Sequence, residues 1–361
     1  ATRSKPQCGQ RSVCGCNRSR YRCIQVARIQ NRSRGIAFVN QIVSEKLQLC
    51  ASTACSSLWC SLQGSRAPAL SMMIARRLVA VVATAASISL QGIKNFRRLR
   101  GAASSLPVYR CAALDGATPA DVIALASIEG KRLGRVIDLR NDDEIGKGRA
   151  NRTAAATDFY RSIAAEELLI NRPLLGDITG FWGAVADQAP PLPILPQIAM
   201  LWSSRPLDEA LSRALEDGGL AMLYTCILAS APEEVGRAVD DVIACALRDE
   251  AVVFHCAKGK DRTGLVAALV ESICEVPRAE IVNGYAASGA LLGGDDAPGV
   301  ADEPRPPSSG GVDWGRFRGS PAAAIEAALD WIDKNHGSPA AYLETCGVDA
   351  ARQKQLRDAV L

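Results

Sequence analysis

From residue 89 onward, short apolar runs alternate with charged and turn-forming stretches, and the runs carry either strand or helix spacing. Val252-Val253-Phe254 is apolar and largely β-branched, which predicts a short buried strand. Leu265 to Val270 is apolar again and ends at Glu271, which predicts a helix. Residues 119–130 place Val122, Ile123, Leu125 and Ile128 along one side behind Pro119, the signature of a helix with proline at its start. Val136-Ile137-Asp138-Leu139-Arg140 predicts a buried strand that ends in charge. Residues 232–247, with Val235, Val239, Val242, Ile243 and Leu247 apolar, predict a helix leading into the strand at 252. Further helices are expected at 279–292 and 321–331.

Two stretches interrupt this alternation. Residues 178–222 contain Trp182, Pro190, Pro191, Pro193, Pro196 and Trp202, and they read as a lid or insertion. Residues 293–315 are rich in Gly, Pro and Asp and read as a mobile loop. The start of the chain is different in kind. Residues 1–114 hold 18 Lys and Arg but a single acid, Glu45, whereas the remainder is net acidic. Such an asymmetry argues for two separate segments. Residues 1–72 form a basic leader rich in Cys, Arg and Ser, expected to be disordered or to act as a targeting peptide. Residues 73–88 form a short apolar segment, and the uncharged run from Leu78 to Leu90 is too short to span a bilayer as a helix. Targeting to an organelle or a cytoplasmic location follows from this reading, while translation from Met73 would make the segment a signal peptide for secretion. Seven of the 13 cysteines lie in the first 60 residues, without C-x2-C spacing and without a nearby histidine, so no zinc site is expected.

The chemistry concentrates at residues 255–264, His-Cys-Ala-Lys-Gly-Lys-Asp-Arg-Thr-Gly. A loop between a strand and a helix N-terminus turns several backbone N–H groups toward one point, and the helix dipole adds partial positive charge there. That environment suits phosphate. A free thiol titrates near ~8.5, and a helix N-terminus or neighbouring cations lower that value, so Cys256 is expected to act as a thiolate nucleophile. Arg262 can bind two phosphoryl oxygens with its planar fork. Ala257, Lys258, Gly259, Lys260, Thr263 and Gly264 would line the phosphate, with Gly259 letting the backbone bend and Thr263 placed to steady the leaving sulfur. His255 is expected to order the loop. A leaving oxygen needs a proton, and the chain has only two histidines, so a carboxylic acid must supply it. Asp261 within the loop and Asp177 on the candidate lid are the two choices.

The C-x5-R string, with His before it and Thr-Gly after it, resembles the cysteine-dependent phosphatases. The full string is similar to the atypical bacterial-type family with tyrosine and phosphoinositide phosphatase activity. Asn95-Phe96-Arg97, Val108-Tyr109-Arg110 and Asp138-Leu139-Arg140 with Glu144 resemble further motifs of that family, as do Tyr342-Leu343-Glu344, Gly347-Val348 and Leu356-Arg357 in its C-terminal helical pair. Its usual serine after the second motif is Cys111 here, and Arg98-Leu99-Arg100 departs from its usual acid. The resemblance implies an α/β fold, with a central, mostly parallel sheet flanked by helices, over residues 89–361. It implies Asp261 as a catalytic group, with Asp138 and Arg140 as a supporting ion pair. It also implies hydrolysis of phosphate monoesters through a phosphocysteine intermediate, without metal or cofactor.

Phosphotyrosine is the first substrate expected, with phosphoserine or phosphothreonine as further protein substrates. Lys258 and Lys260 add two cations to the loop, which would favour a substrate with several phosphates such as a phosphoinositide. Partners would then be a phosphorylated protein or an inositol lipid, with only transient membrane contact and no nucleic acid. Two other readings fit less of the pattern. One is a phosphate-binding module without turnover. The other is a rhodanese-like sulfurtransferase, suggested by residues 136–144 and an active cysteine.

Overall fold

The computed structural model describes residues 90–191, 204–293 and 311–360, all within the unit from Val82 to Leu361. The expected leader at 1–72 and the apolar segment at 73–88 lie outside the described residues. So do the middle of the proline-rich stretch and most of the Gly/Pro loop.

In chain order, β1 (Arg97–Arg98) and β2 (Val108–Cys111) precede α1 (Pro119–Ala126), β3 (Ser127–Ile128) and β4 (Lys131–Asp138). Helices α2 (Asp142–Ala150) and α3 (Ala154–Ala165) lead to β5 (Leu169–Asn171). Three helices follow, α4 (Ile178–Gln188), α5 (Arg205–Ser230) and α6 (Pro232–Ala246), before β6 (Ala251–His255). The chain continues through α7 (Asp261–Ile273), α8 (Arg278–Leu292), α9 (Ala322–His336), α10 (Pro339–Thr345) and α11 (Ala350–Asp358).

β6 lies between β2 and β4 and runs parallel to both, and β5 is parallel to β4. The antiparallel pairs, β1 with β2 and β3 with β4, lie outside these central pairings. A parallel strand covered on both faces is apolar at successive positions, which is why Val252-Val253-Phe254 reads as an unbroken run. All five residues of β6 are buried. Their side chains alternate between two cores. Val252 and Phe254 join Val108 and Ile137 in the larger core, with residues of α4 to α11. Ala251 and Val253 join Tyr109, Leu133 and Val136 in the smaller one, with Leu125 of α1 and Phe159, Tyr160 and Ile163 of α3. The architecture is therefore a mixed sheet between two helical layers.

Two boundaries differ from the sequence pattern. The helix predicted to reach residue 130 stops at Ala126, because Glu129 and Gly130 both take positive φ, 52° and 80°, in the tight turn of the β3–β4 hairpin. The described part of the 178–222 stretch is helical. Phe181 and Val185 of α4 are buried in the same core as Leu215, Leu223 and Ile227 of α5. Gly219, with φ 57° and ψ −150°, breaks the regular backbone within α5.

Phe254 is fully buried in the larger core. Replacing it with alanine is expected to destabilise the fold by about 3–5 kcal/mol, because the cavity cannot close around a central strand. The midpoint of urea unfolding measures the loss.

Candidate active site

Ligands of open α/β sheets bind beyond the carboxyl ends of the parallel strands, and that is where the 256–260 loop sits. Cys256 follows β6 directly and is buried. Gly259 has a φ of +66°, and a Cβ there would lie 2.0 Å from the Cys111 carbonyl oxygen. The loop is thus pressed against the end of β2, at a position only glycine fits. Its carbonyls are held from behind. Asn95 Nδ2 donates to the carbonyls of Lys258 (3.1 Å) and Gly259 (2.8 Å). Buried Arg110 donates from Nη2 to those of Gly259 (3.0 Å) and Lys260 (3.4 Å). N–H and C=O of one peptide point in opposite directions, so carbonyls held outward leave the amides facing inward. Lys260 is the N-cap of α7 and offers its helix no side-chain cap, which leaves that end open to an anion.

Arg262 stands in the first turn of α7. Its Nη1 and Nη2 each donate to the Glu144 carboxylate at 2.5 Å, and Nη1 also reaches the Leu139 carbonyl at 3.3 Å. Glu144 serves two ends at once, since it also closes a capping box with Asn141 at the start of α2. Burial alone would lower the Arg262 pKa, but its hydrogen bonds to Glu144 and the nearby charges of Cys256, Glu144 and Asp261 raise it. The guanidinium stays charged. With both inner Nη hydrogens engaged, Nε–H and the second Nη2 hydrogen keep no protein partner among the described residues. That edge can receive two phosphoryl oxygens.

Asp261 also lies at this end of α7, with its side chain about a quarter exposed (24%). Its Oδ1 accepts from Tyr224 at 2.6 Å and lies 3.5 Å from Lys260 Nζ. Asp177 is exposed, and it caps α4 by accepting from the Gly180 N–H at 2.9 Å. No hydrogen bond or ion pair of its carboxylate joins it to the 256–264 loop among the described residues.

Other predicted residues take these places. Lys260 is fully buried, and its Nζ donates to the carbonyls of Phe317 (3.0 Å) and Gly319 (2.6 Å). The same ammonium lies 3.5 Å from Asp261 Oδ1, so Lys260 links the 311–320 segment to the loop with its charge beside Asp261. Lys258 is half-buried and Ala257 exposed. Buried Thr263 has no hydrogen-bond partner for its Oγ1 among the described residues. The missing Cβ of Gly264 makes room for the Tyr285 ring. His255 is wholly buried, with Nδ1 3.2 Å from the Cys256 carbonyl and 3.8 Å from Asp138. Burial lowers the His255 pKa against the pull of Asp138, so its ring is neutral. Asp138 and Arg140 form a buried, multiply hydrogen-bonded pair, joined at Arg140 Nη1 by Asp115 at 2.5 Å. They fix the end of β4.

Sequence reasoning gave no role to Asn95, Arg110, Asp115, Tyr224 or Tyr285. Asn95 and Arg110 fall inside motifs that were noticed, so a signal existed for them. The tyrosines meet Asp261 only through folding, from positions 37 and 24 residues away. A cavity of about 530 Å³ lies between α2, α3 and β5, lined in part by Arg149, Arg152, Tyr160 and Asn171, but no residue of the 256–264 loop lines it.

The comparisons with known proteins agree with this geometry. Residues 88–361 match the model of a family described as "Tyrosine phosphatase family". A tyrosine-protein phosphatase of Nostoc commune is 38% identical over 121 residues, 31% of this chain and 40% of that protein. The chain thus matches less than half the length of this curated relative. The family match alone spans the whole described fold, from before β1 to past α11, and the chain belongs to the tyrosine phosphatase family.

Proposed function

We propose that this protein hydrolyses phosphate monoesters, phosphotyrosine first among them, through a phosphocysteine intermediate. The observation that carries this is Arg262: held from behind by Glu144 at the uncapped start of α7, it keeps two donors without a partner among the described residues and interacts electrostatically with Cys256. Phosphate binds between that edge and the inward amides of the loop. The Cys256 thiolate attacks phosphorus, the ester P–O bond breaks, and Asp261 gives its proton to the leaving oxygen. Water then attacks the S–P bond with Asp261 accepting its proton, which frees inorganic phosphate and restores the thiolate. Thr263, whose buried hydroxyl has no partner among the described residues, would donate to the departing sulfur. Arg262 and the amides stabilise charge on the transferred phosphoryl group throughout.

Two choices left open by the sequence can be weighed here. Asp261 is favoured over Asp177 as the acid because it sits on the same helix turn as Arg262, whereas Asp177 is engaged in capping α4. A monophosphate is favoured over a phosphoinositide, because the buried Lys260 ammonium already donates to two backbone carbonyls and stands 3.5 Å from Asp261.

Cys256→Ser is expected to lower hydrolysis of para-nitrophenyl phosphate in excess chelator by at least about a thousandfold while phosphate binding persists. Near-normal turnover in this variant would remove the nucleophile assignment. With the wild-type protein, kcat/KM should be higher for a phosphotyrosine peptide than for phosphoinositide vesicles. Asp261→Asn should slow hydrolysis of phenyl phosphate by about 10²-fold or more, and Asp177→Asn should not. Glu144→Gln should raise KM about tenfold with a smaller effect on kcat, since Arg262 then loses its rear support. Steady-state kinetics on the purified variants measures each outcome.

A further inference from the structure

Two buried tyrosines from helices far from the loop in sequence are joined to each other, and one of them, Tyr224, reaches Asp261. Tyr224 belongs to α5 and Tyr285 to α8, with exposures of 0% and 1%. Their hydroxyl oxygens are 2.6 Å apart, and the Tyr224 hydroxyl is also 2.6 Å from Asp261 Oδ1. The rings meet edge to face at 5.9 Å. Each phenol has one proton to donate. Tyr224 gives its proton to the carboxylate, so it accepts from Tyr285, and the chain runs in one direction: Tyr285 to Tyr224 to Asp261. Burial and the charge of Asp261 raise the Tyr224 pKa well above the ordinary phenol value, which keeps it a donor at every working pH.

We propose that Tyr224, backed by Tyr285, is a positioning residue that holds Asp261 Oδ1 and so aims Oδ2 at the leaving oxygen. This rests on the reading of Asp261 as the general acid. Oδ1 is occupied by Tyr224 and by Lys260 Nζ at 3.5 Å, whereas Oδ2 has no partner among the described residues. The carboxyl group therefore has one anchored oxygen and one open oxygen, and the open one carries the proton. The other charged groups around this chain are Arg262, which interacts electrostatically with Asp261, and Arg110 of β2, which interacts with both tyrosines. Phenylalanine would fill either tyrosine's volume without a hydroxyl to satisfy, so packing alone does not call for this polar chain.

The experiment compares kcat/KM of Tyr224→Phe, Tyr285→Phe and Asp261→Asn on two substrates. Phenyl phosphate has a poor leaving group and needs the acid, whereas para-nitrophenyl phosphate needs it less. Tyr224→Phe is expected to lower kcat/KM about tenfold on phenyl phosphate and less than about threefold on para-nitrophenyl phosphate. Tyr285→Phe should act in the same direction but more weakly, and it serves as the second reading if Tyr224→Phe folds poorly. If the tyrosine variants lose activity equally on both substrates, or on neither, while Asp261→Asn discriminates between them, the positioning role is overturned and the acid assignment stands. If Asp261→Asn itself fails to discriminate, the acid assignment falls and the positioning role falls with it.

Discussion

Three consecutive carbonyls of the 258–260 loop are held outward by two side chains, Asn95 and Arg110, and the site depends on that restraint. A peptide loop has no intrinsic reason to present its amides together on one side. Here the carbonyl side is satisfied by buried donors, and letting the loop turn over would strand them at a cost of about 1–3 kcal/mol each. The close approach of Gly259 to the β2 end makes the arrangement rigid, since the loop is braced against backbone there. Cys256 and the start of α7 flank the same loop, so their positions follow from it.

The charges around this loop are organised by burial. Arg140 is satisfied by Asp138, Asp115 and Tyr160, and it closes the end of β4 as a structural unit. Arg262 has the same kind of rear partner in Glu144, but its fork is only half used. The two arginines lie within reach of the same strand end, yet all three nitrogens of Arg140 have protein partners while Nε of Arg262 has none among the described residues. A buried guanidinium with an unused edge is costly unless something fills it, which is the physical basis for assigning an oxyanion to that space. Lys260 differs again: its buried ammonium donates to the carbonyls of Phe317 and Gly319 and lies 3.5 Å from Asp261 Oδ1, which links the 311–320 segment to the loop.

The helices that cover the larger core also reach the chemistry. α5 places Tyr224 against Asp261 and α8 backs it with Tyr285, so the layer that packs the sheet and the proposed proton donor share hydrogen bonds. The 178–222 stretch, read from its prolines and tryptophans as an insertion over the domain, contributes buried residues from α4 and α5 to that layer. Its hydrophobic residues explain this: Phe181 and Val185 recur one helical turn apart, which suits a packed face.

Much of this was legible along the chain because it is local. The β6 strand, its loop and α7 are contiguous, so apolar pattern and glycine position were enough to predict strand, turn and helix together, and the cysteine–arginine interval pointed to the proposed phosphate chemistry. The β3–β4 hairpin was missed because a positive φ at Glu129 is a conformational choice that residue type only weakly signals. The sequence by itself determined which residues could do the chemistry and that they share one loop. Only the tertiary structure decided that the Lys260 ammonium is buried against Phe317 and Gly319, that Glu144 backs Arg262, and that Tyr224 bonds Asp261. Those outcomes depend on contacts between segments far apart in sequence, and such contacts leave no periodicity or spacing to read.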